Sequence, residues 1–111
     1  MIYPKSIQIG GHVYQIILEN IPSIDSESNV GEHHYGKSTL RVATRNIDST
    51  QRSEQAIMET ICHEMCHAVN YIFCHSELTE KQVASFSQGV YQVLSQLQLT
   101  ADVKCKLVPI V

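Results

Sequence analysis

The sequence has few charged residues and no excess of positive ones. Only 17% of its 111 residues are charged, and 8 Lys and Arg against 11 Asp and Glu give a formal net charge of -3. Nucleic acids and acidic membrane surfaces are bound by clustered Lys and Arg side chains. The composition therefore predicts that neither a nucleic acid nor a membrane surface is a partner.

Long hydrophobic runs are also missing. No stretch approaches the roughly 18 apolar residues of a membrane span, and residues 1–14 lack the apolar core and small-residue cleavage site of a secretory signal. We therefore expect no membrane partner and a cytoplasmic location. A chain of 111 residues suits one compact core, so residues 1–111 are interpreted as a single domain.

The four cysteines do not form the pattern of a disulfide framework. Cys62, Cys66 and Cys74 fall in one helical segment instead of linking separate loops, which fits a reducing cytoplasm. Cys62 and Cys66 each precede a histidine, but on a helix neighbouring residues are rotated by about 100°. The two thiols and the two imidazoles therefore cannot converge on one ion, and we expect the thiols to be buried small apolar groups.

The chain does contain one His-Glu-x-x-His motif, formed by His63, Glu64 and His67 within a helical pattern. Residues four apart project from the same face of a helix, so the two imidazoles can bind one metal ion. Glu64 lies at the edge of that face, where its carboxylate can take a proton from a water molecule at the metal. The motif predicts a zinc hydrolase with Glu64 as the general base.

The segments before the motif predict strands. Alternating polar and apolar residues indicate two strand pairs, each closed by a short turn, with a polar loop over residues 20–29 between them. The predicted pairs are residues 5–10 with 12–19 and residues 30–35 with 38–44. The predicted fold class is α+β, with a short antiparallel sheet packed on an active-site helix plus a second helix.

Two helices are predicted from the motif onward. The first is capped by Asp48 or Ser49 and runs to about Phe73, with Ile57, Ile61, Met65, Ala68 and Ile72 as its apolar stripe. The second begins at a capping box of Thr79 and Gln82 and runs to about residue 99. Its stripe is expected to pack on the first helix and comprises Val83, Phe86, Val90, Leu94 and Leu97. Residues 103–111 are interpreted as a final strand or a disordered end.

A catalytic zinc ion needs a third protein ligand. The metzincin extension is absent, because Asn70 and Phe73 stand where that motif requires Gly and His. A glutamate on a following helix is the other solution, and Glu80 is favoured over Glu77 because it combines an inward position with a helical anchor. A straight first helix would begin the second about 9 Å beyond His67, so this ligand set requires an early helix end or a steep helix crossing.

Several segments together resemble a known family. They are Ile9-Gly10-Gly11-His12-x-Tyr14, a strand at Thr39–Ala43, Glu59-Thr60-x-x-His63-Glu64-x-x-His67-Ala68, Leu78-Thr79-Glu80-x-x-Val83 and Gly89-Val90-Tyr91-x-Val93-Leu94. In this order they resemble the small phage- and prophage-encoded zincin-like metallopeptidases, related in plan to the minigluzincins and distantly to the ImmA/IrrE-type metallopeptidases. The chain departs from that pattern in having Cys62, Cys66 and Ala84.

The resemblance implies a zinc-dependent peptidase in which the second helix supplies a glutamate ligand and the substrate peptide adds as a strand to the sheet edge. Zinc would be held by His63, His67 and Glu80. Candidate auxiliary oxyanion donors are Tyr91, His75, His33 and His34. Two alternatives remain open: a zinc-stabilised interaction module without turnover, and a narrow-specificity protease acting on a repressor-like protein. The oligomeric state is not predicted.

Overall fold

A computed structural model describes residues 3–25 and 27–107, with side chains described as far as residue 96. Four strands precede two helices, which confirms the predicted α+β class. The elements are β1 (Ser6–Ile9), β2 (His12–Glu19), β3 (Gly31–His34), β4 (Thr39–Ala43), α1 (Glu54–Phe73) and α2 (Glu80–Leu107). A single 3-10 turn at Tyr35–Lys37 joins β3 to β4.

The four strands form one mixed sheet in the order β1-β2-β4-β3. Both predicted hairpins are antiparallel, but β2 and β4 pair in parallel, so the prediction of a wholly antiparallel sheet is corrected at the central pair. The physical reason is polarity. Leu40 and Val42 of β4 are fully buried, whereas β3 has the sequence Gly-Glu-His-His. The apolar strand therefore takes the interior and the polar strand takes the edge.

The core lies between one face of the sheet and α1. Its buried members are Ile9, Tyr14, Ile16, Leu40, Val42, Ile57, Ile61 and Ala68, with Met65 and Ile72 packed against them. The predicted stripe of α1 is thus the face that contacts the sheet. On the opposite face of the sheet Arg41 donates hydrogen bonds to Glu19 and Glu32, which ties β2, β4 and β3 together.

Helix α1 begins later than predicted. Its N-cap is Ser53, whose hydroxyl oxygen accepts a hydrogen bond from the backbone N–H of Ala56 at 3.1 Å. Asp48 does not cap the helix, because its carboxylate accepts from the backbone N–H of Thr50 within a separate turn. The helix ends at Phe73, as predicted.

The connection between the helices is fixed by Asn70, which is buried. The Asn70 side chain donates to the carbonyl of Leu78 and accepts from its N–H, both at 3.1 Å. His75 and Ser76 adopt left-handed backbone conformations with φ of 53° and 58°, which allows the chain to reverse within a few residues. This reversal brings the start of α2 back beside α1.

Helix α2 begins with the predicted capping box. The backbone N–H of Gln82 donates to the hydroxyl of Thr79, and the Thr79 N–H donates to the Gln82 side chain. The helix extends to Leu107, so residues 103–107 are helical and residues 108–111 lie outside the described part of the chain. The predicted packing stripe is only partly correct, because Val83 is buried whereas Phe86 is 66% exposed.

Within residues 3–25 and 27–107, no helix is both long enough and apolar enough to cross a membrane.

Candidate metal centre

Three side chains from α1 and α2 converge at one point. The Nε2 atoms of His63 and His67 are 3.0 Å apart, and the carboxylate of Glu80 lies 3.1 Å from the first and 2.8 Å from the second. The two histidines are four positions apart on α1, which is about one helical turn, and Glu80 is the first residue of α2. The structure thus brings Glu80 to the histidine pair although α1 stays helical to Phe73, because the connection held by Asn70 reverses the chain.

The donor atoms of this group fit a zinc ion. Bonds of about 2.0–2.2 Å in a tetrahedral arrangement place ligand atoms about 3.3 Å apart, slightly more than the 2.8 to 3.1 Å observed. Unprotonated imidazole nitrogens and carboxylate oxygens are all acceptors, so their close approach is favourable only around a cation or a shared proton. Two imidazoles and one carboxylate also match a catalytic zinc site, which keeps a position open.

Ser87 orients the first of the two imidazoles. Its buried hydroxyl donates to the carbonyl of Ala84 at 3.1 Å, which leaves its oxygen to accept from Nδ1–H of His63 at 3.3 Å. This tautomer, inferred from the hydrogen-bond network, leaves the Nε2 lone pair of His63 directed towards His67 and Glu80. Ser87 was not among the residues predicted from the sequence. Its spacing of seven residues from Glu80 places both on one face of α2, and that spacing was the available signal.

Replacing Ser87 is expected to weaken zinc binding without removing a ligand. Ser87→Ala deletes the acceptor of His63 Nδ1–H, and losses of such supporting hydrogen bonds lower metal affinity by about 10- to 100-fold. Competition with a chromophoric chelator measures this affinity. Ser85→Ala, on an exposed position of the same helix, is the matched control and should bind zinc like the wild type. Equal affinity in the two variants would contradict the orienting role.

Glu64 lies beside the group, buried between α1 and β3 with only 6% of its surface exposed. Burial, and then the negative charges of Glu80 and Glu32, raise the pKa of its carboxyl from 4.5 to about 7. The carboxylate lines a cleft of about 560 Å³ together with His63, Ser87 and Tyr91. A carboxyl group with a pKa near neutrality, open to a cleft, is suited to taking up and releasing protons.

The raised pKa makes the stability of the metal-free protein depend on pH. Between pH 4.5 and about 7 the folded chain holds a proton on Glu64 that the unfolded chain releases. The contribution of this group is therefore complete below pH 4.5 and is lost as pH rises through about 7, a change of about 3 kcal/mol. Denaturant unfolding measures the free energy of unfolding of the metal-free wild type and of Glu64→Gln. The difference between the two should change steadily from pH 4.5 to about 7, as the wild type loses stability. A constant difference would contradict it.

Gly31, the first residue of β3, is the point where the edge strand meets this carboxylate. A Cβ atom at this position would lie 2.6 Å from Oε2 of Glu64 and 2.7 Å from Cγ2 of Thr60. Both distances are shorter than a nonbonded contact allows, so a side chain at this position would force the Glu64 carboxylate or β3 to shift. Gly31 could not be predicted from the sequence, because the need for glycine arises from a close approach between two elements far apart in the chain.

If the protein is the zinc peptidase that its His-Glu-x-x-His motif predicts, Gly31→Ala is expected to reduce peptide turnover by about 10- to 100-fold at nearly unchanged zinc affinity. The added methyl group must displace Glu64 or the strand, and a misplacement of about 1 Å is enough for a loss of this size. Initial rates and chelator competition on the same preparation separate the two effects. Gly89→Ala is the control, because a Cβ there meets nothing within 4 Å. A Gly31→Ala variant with wild-type turnover would show that Glu64 has room to adjust.

The remaining candidates occupy different positions. Tyr91 lines the cleft. His33, on β3, lies 2.7 Å by its Nε2 atom from the hydroxyl of Tyr14, and burial together with His67 and His34 lowers its pKa. His34 accepts from the backbone N–H of Lys37, and His75 belongs to the connection.

The cysteines do not join the metal group. Cys62 and Cys66 are free thiols, as expected, but they are half-buried and not fully buried. Among the described residues the converging group consists of two histidines and Glu80 alone. Glu77 is exposed in the connection between the helices and is not part of the converging group.

Comparison with known protein families gives a match. The family model described as the SprT-like family matches residues 15–101, a range that contains the whole His-Glu-x-x-His motif, Glu80 and Ser87. Neither the curated proteins nor the solved structures contain a match. Since the match covers most of the chain, the protein belongs to the SprT-like family, whose domains are related to zincin-like metallopeptidases.

Proposed function

We propose that this protein is a zinc-dependent peptidase in which His63, His67 and Glu80 hold the metal ion. The observation that carries the proposal is the convergence of three acceptor side chains, all within 4.8 Å of one another, beside a buried carboxyl group. The comparison supports the coarser statement that the chain belongs to a zinc-associated family related to metallopeptidases. Hydrolysis of peptide bonds is the further step.

Each residue has a chemical role in this proposal. Zinc, when bound, lowers the pKa of a water molecule and polarises the substrate carbonyl. Glu64 accepts a proton from the attacking water and donates it to the leaving amine, which requires a carboxyl group that changes protonation near neutral pH. Ser87 keeps the His63 imidazole in the tautomer that exposes Nε2, and Gly31 gives the Glu64 carboxylate its position.

The substrate is proposed to be a peptide bound along β3. This strand lies at one edge of the sheet, so the backbone groups on its outer side have no neighbouring strand among the described elements. An extended peptide can add to such an edge by backbone hydrogen bonds. Gly31, at the start of β3, lies so near Glu64 that an added Cβ would meet its carboxylate, so a peptide on this edge would run close to the proposed base.

A purely structural zinc site explains Glu64 less well. A structural site fills its fourth position with a protein ligand, and no fourth donor joins the converging group in the part of the chain described. Burying an ionisable carboxyl group also destabilises the fold near neutral pH. A zinc ion with a purely structural role would not need such a group beside it.

The test is zinc content and peptide cleavage on one preparation. The wild type purified in metal-free buffer is loaded with zinc, and bound zinc is measured per chain before a broad peptide mixture is added. One zinc per chain, with cleavage that a chelator abolishes and zinc restores, is the expected result. Stoichiometric zinc with no cleavage of the mixture would overturn general peptidase activity and favour the structural module. Absence of zinc binding would overturn the whole proposal.

A further inference from the structure

Near the proposed metal centre, a series of aromatic rings in contact with one another extends from the core to the surface. Tyr14 is 1% exposed, and its hydroxyl contacts Nε2 of His33 at 2.7 Å. The His33 ring lies 5.8 Å from that of Tyr71, which stacks on Tyr35 with ring centres 5.0 Å apart and an angle of 27° between the planes. Tyr35 and Tyr71 are named here the tyrosine platform.

The tyrosine platform is exposed although both rings are large. Tyr35 is 64% exposed and Tyr71 is 41% exposed. Single exposed aromatic residues are common on protein surfaces, but two stacked rings that pack on a third ring, itself hydrogen-bonded to the core residue Tyr14, form an ordered apolar surface. Tyrosine supplies such a surface with little loss of side-chain freedom on binding.

The position of the platform ties it to the proposed substrate path. Tyr71 follows His67 by four residues and therefore lies about 6 Å further along the same face of α1. That distance corresponds to about two residues of an extended peptide. Tyr35 directly follows the end of β3, so the platform lies at the opposite end of the edge strand from Gly31 and Glu64.

The direction of the peptide follows from strand pairing. Antiparallel pairing is the more stable arrangement, so a peptide on β3 is expected to run from Tyr35 towards Gly31. The platform then meets residues on the N-terminal side of the scissile bond. Glu32, the acidic residue of β3, is on the other face of the strand and pairs with Arg41, so β3 adds no negative charge that would select a basic side chain.

We propose that the tyrosine platform is a specificity subsite that binds an aromatic side chain of the substrate within two residues N-terminal to the scissile bond. This inference rests on the proposed peptidase function. A third ring on the stacked pair, in an offset or edge-to-face arrangement, adds an interaction beyond the apolar area that it buries. The expected preference is therefore for Phe, Tyr and Trp at that position.

The experiment compares Tyr35→Ala and Tyr35→Phe with the wild type and with Phe86→Ala, a control for loss of an exposed ring on α2. Cleavage positions in a peptide mixture are mapped by mass spectrometry, and kcat and KM are measured for a matched pair of peptides with Phe or Ala at the selected position. Tyr35→Ala should lower kcat/KM for the Phe peptide by about 3- to 10-fold, mainly through KM, and leave the Ala peptide unchanged. Tyr35→Phe and Phe86→Ala should behave like the wild type.

A binding measurement separates this inference from the proposed function. Fluorescence anisotropy of the labelled Phe peptide on zinc-loaded Glu64→Gln protein, with and without Tyr35→Ala, requires no turnover and should show the same 3- to 10-fold loss. Equal cleavage profiles and equal affinities with and without Tyr35 would overturn the subsite, as would a preference for Lys or Arg. Selective binding of the Phe peptide without cleavage would retain the subsite and overturn the peptidase.

Discussion

Glu64→Gln is expected to lower peptide turnover by about 100- to 10,000-fold, the usual contribution of a general acid and base. The amide has the same shape as the carboxylate but cannot accept a proton from water. Because Glu64 is not among the three converging side chains, bound zinc should remain at the wild-type level. Initial cleavage rates and zinc per chain, measured on the same zinc-loaded sample, check both parts.

Glu59→Gln provides the matched control for this substitution. Glu59 lines the same cleft and lies on the same helix, but it is exposed and its carboxylate accepts a hydrogen bond from the Gln55 side chain at 3.2 Å. Its replacement removes a negative charge from the cleft without removing the buried base. Turnover in Glu64→Gln close to that of Glu59→Gln would show that the cleft charge, and not proton transfer by Glu64, determines the rate.

The two histidines could be found from sequence because their relation is local. Residues four apart on any α-helix share a face, so His63 and His67 converge wherever that helix packs. The strand pairs were also predictable, since short turns join adjacent segments. These features depend on few residues and on no contact between distant parts of the chain.

Contacts between distant elements were not predictable in the same way. The parallel pairing of β2 and β4 arises because the apolar β4 lies in the interior of the sheet and the polar β3 lies at its edge. That strand order depends on how all four strands assemble and not on any one hairpin. Gly31 was missed for the same reason, because its role depends on a close approach of β3 to α1. The narrower resemblance to phage-type metallopeptidases, the cytoplasmic location and the single-domain interpretation stay predictions.

The position of Glu80, the proposed third ligand, shows most clearly what local sequence patterns could not predict. Helix geometry alone placed Glu80 too far from His67 unless α1 ended early or the helices crossed steeply. In the structure α1 does not end early, and the Asn70 side chain and the left-handed residues His75 and Ser76 reverse the chain directly after it. An asparagine near the end of a helix, followed by a short connection, is too common to predict such a chain reversal from sequence. Its role is visible only from its hydrogen bonds to Leu78 in the folded chain.

Glu80→Gln is expected to weaken zinc binding by about 100- to 1,000-fold. Four-ligand structural zinc sites provide about 10–16 kcal/mol, or about 2.5–4 kcal/mol for each ligand, and an amide is a poorer ligand than a carboxylate. Chelator competition gives the affinity directly. Thermal unfolding provides a second measurement, because the stabilisation by a fixed zinc concentration should fall by about 2.7–4.1 kcal/mol.

Glu77→Gln decides whether this loss belongs to Glu80 alone. Both glutamates are exposed and only three residues apart, but Glu77 lies in the connection and does not join the histidines. Its substitution should leave zinc affinity unchanged. Glu80 is also an acidic residue in the first turn of α2, where a negative charge stabilises the helix by about 0.3–1 kcal/mol. Unfolding without metal measures that smaller effect separately, so a loss seen only with zinc present identifies Glu80 as a ligand, whereas equal zinc affinity in the two variants would exclude it.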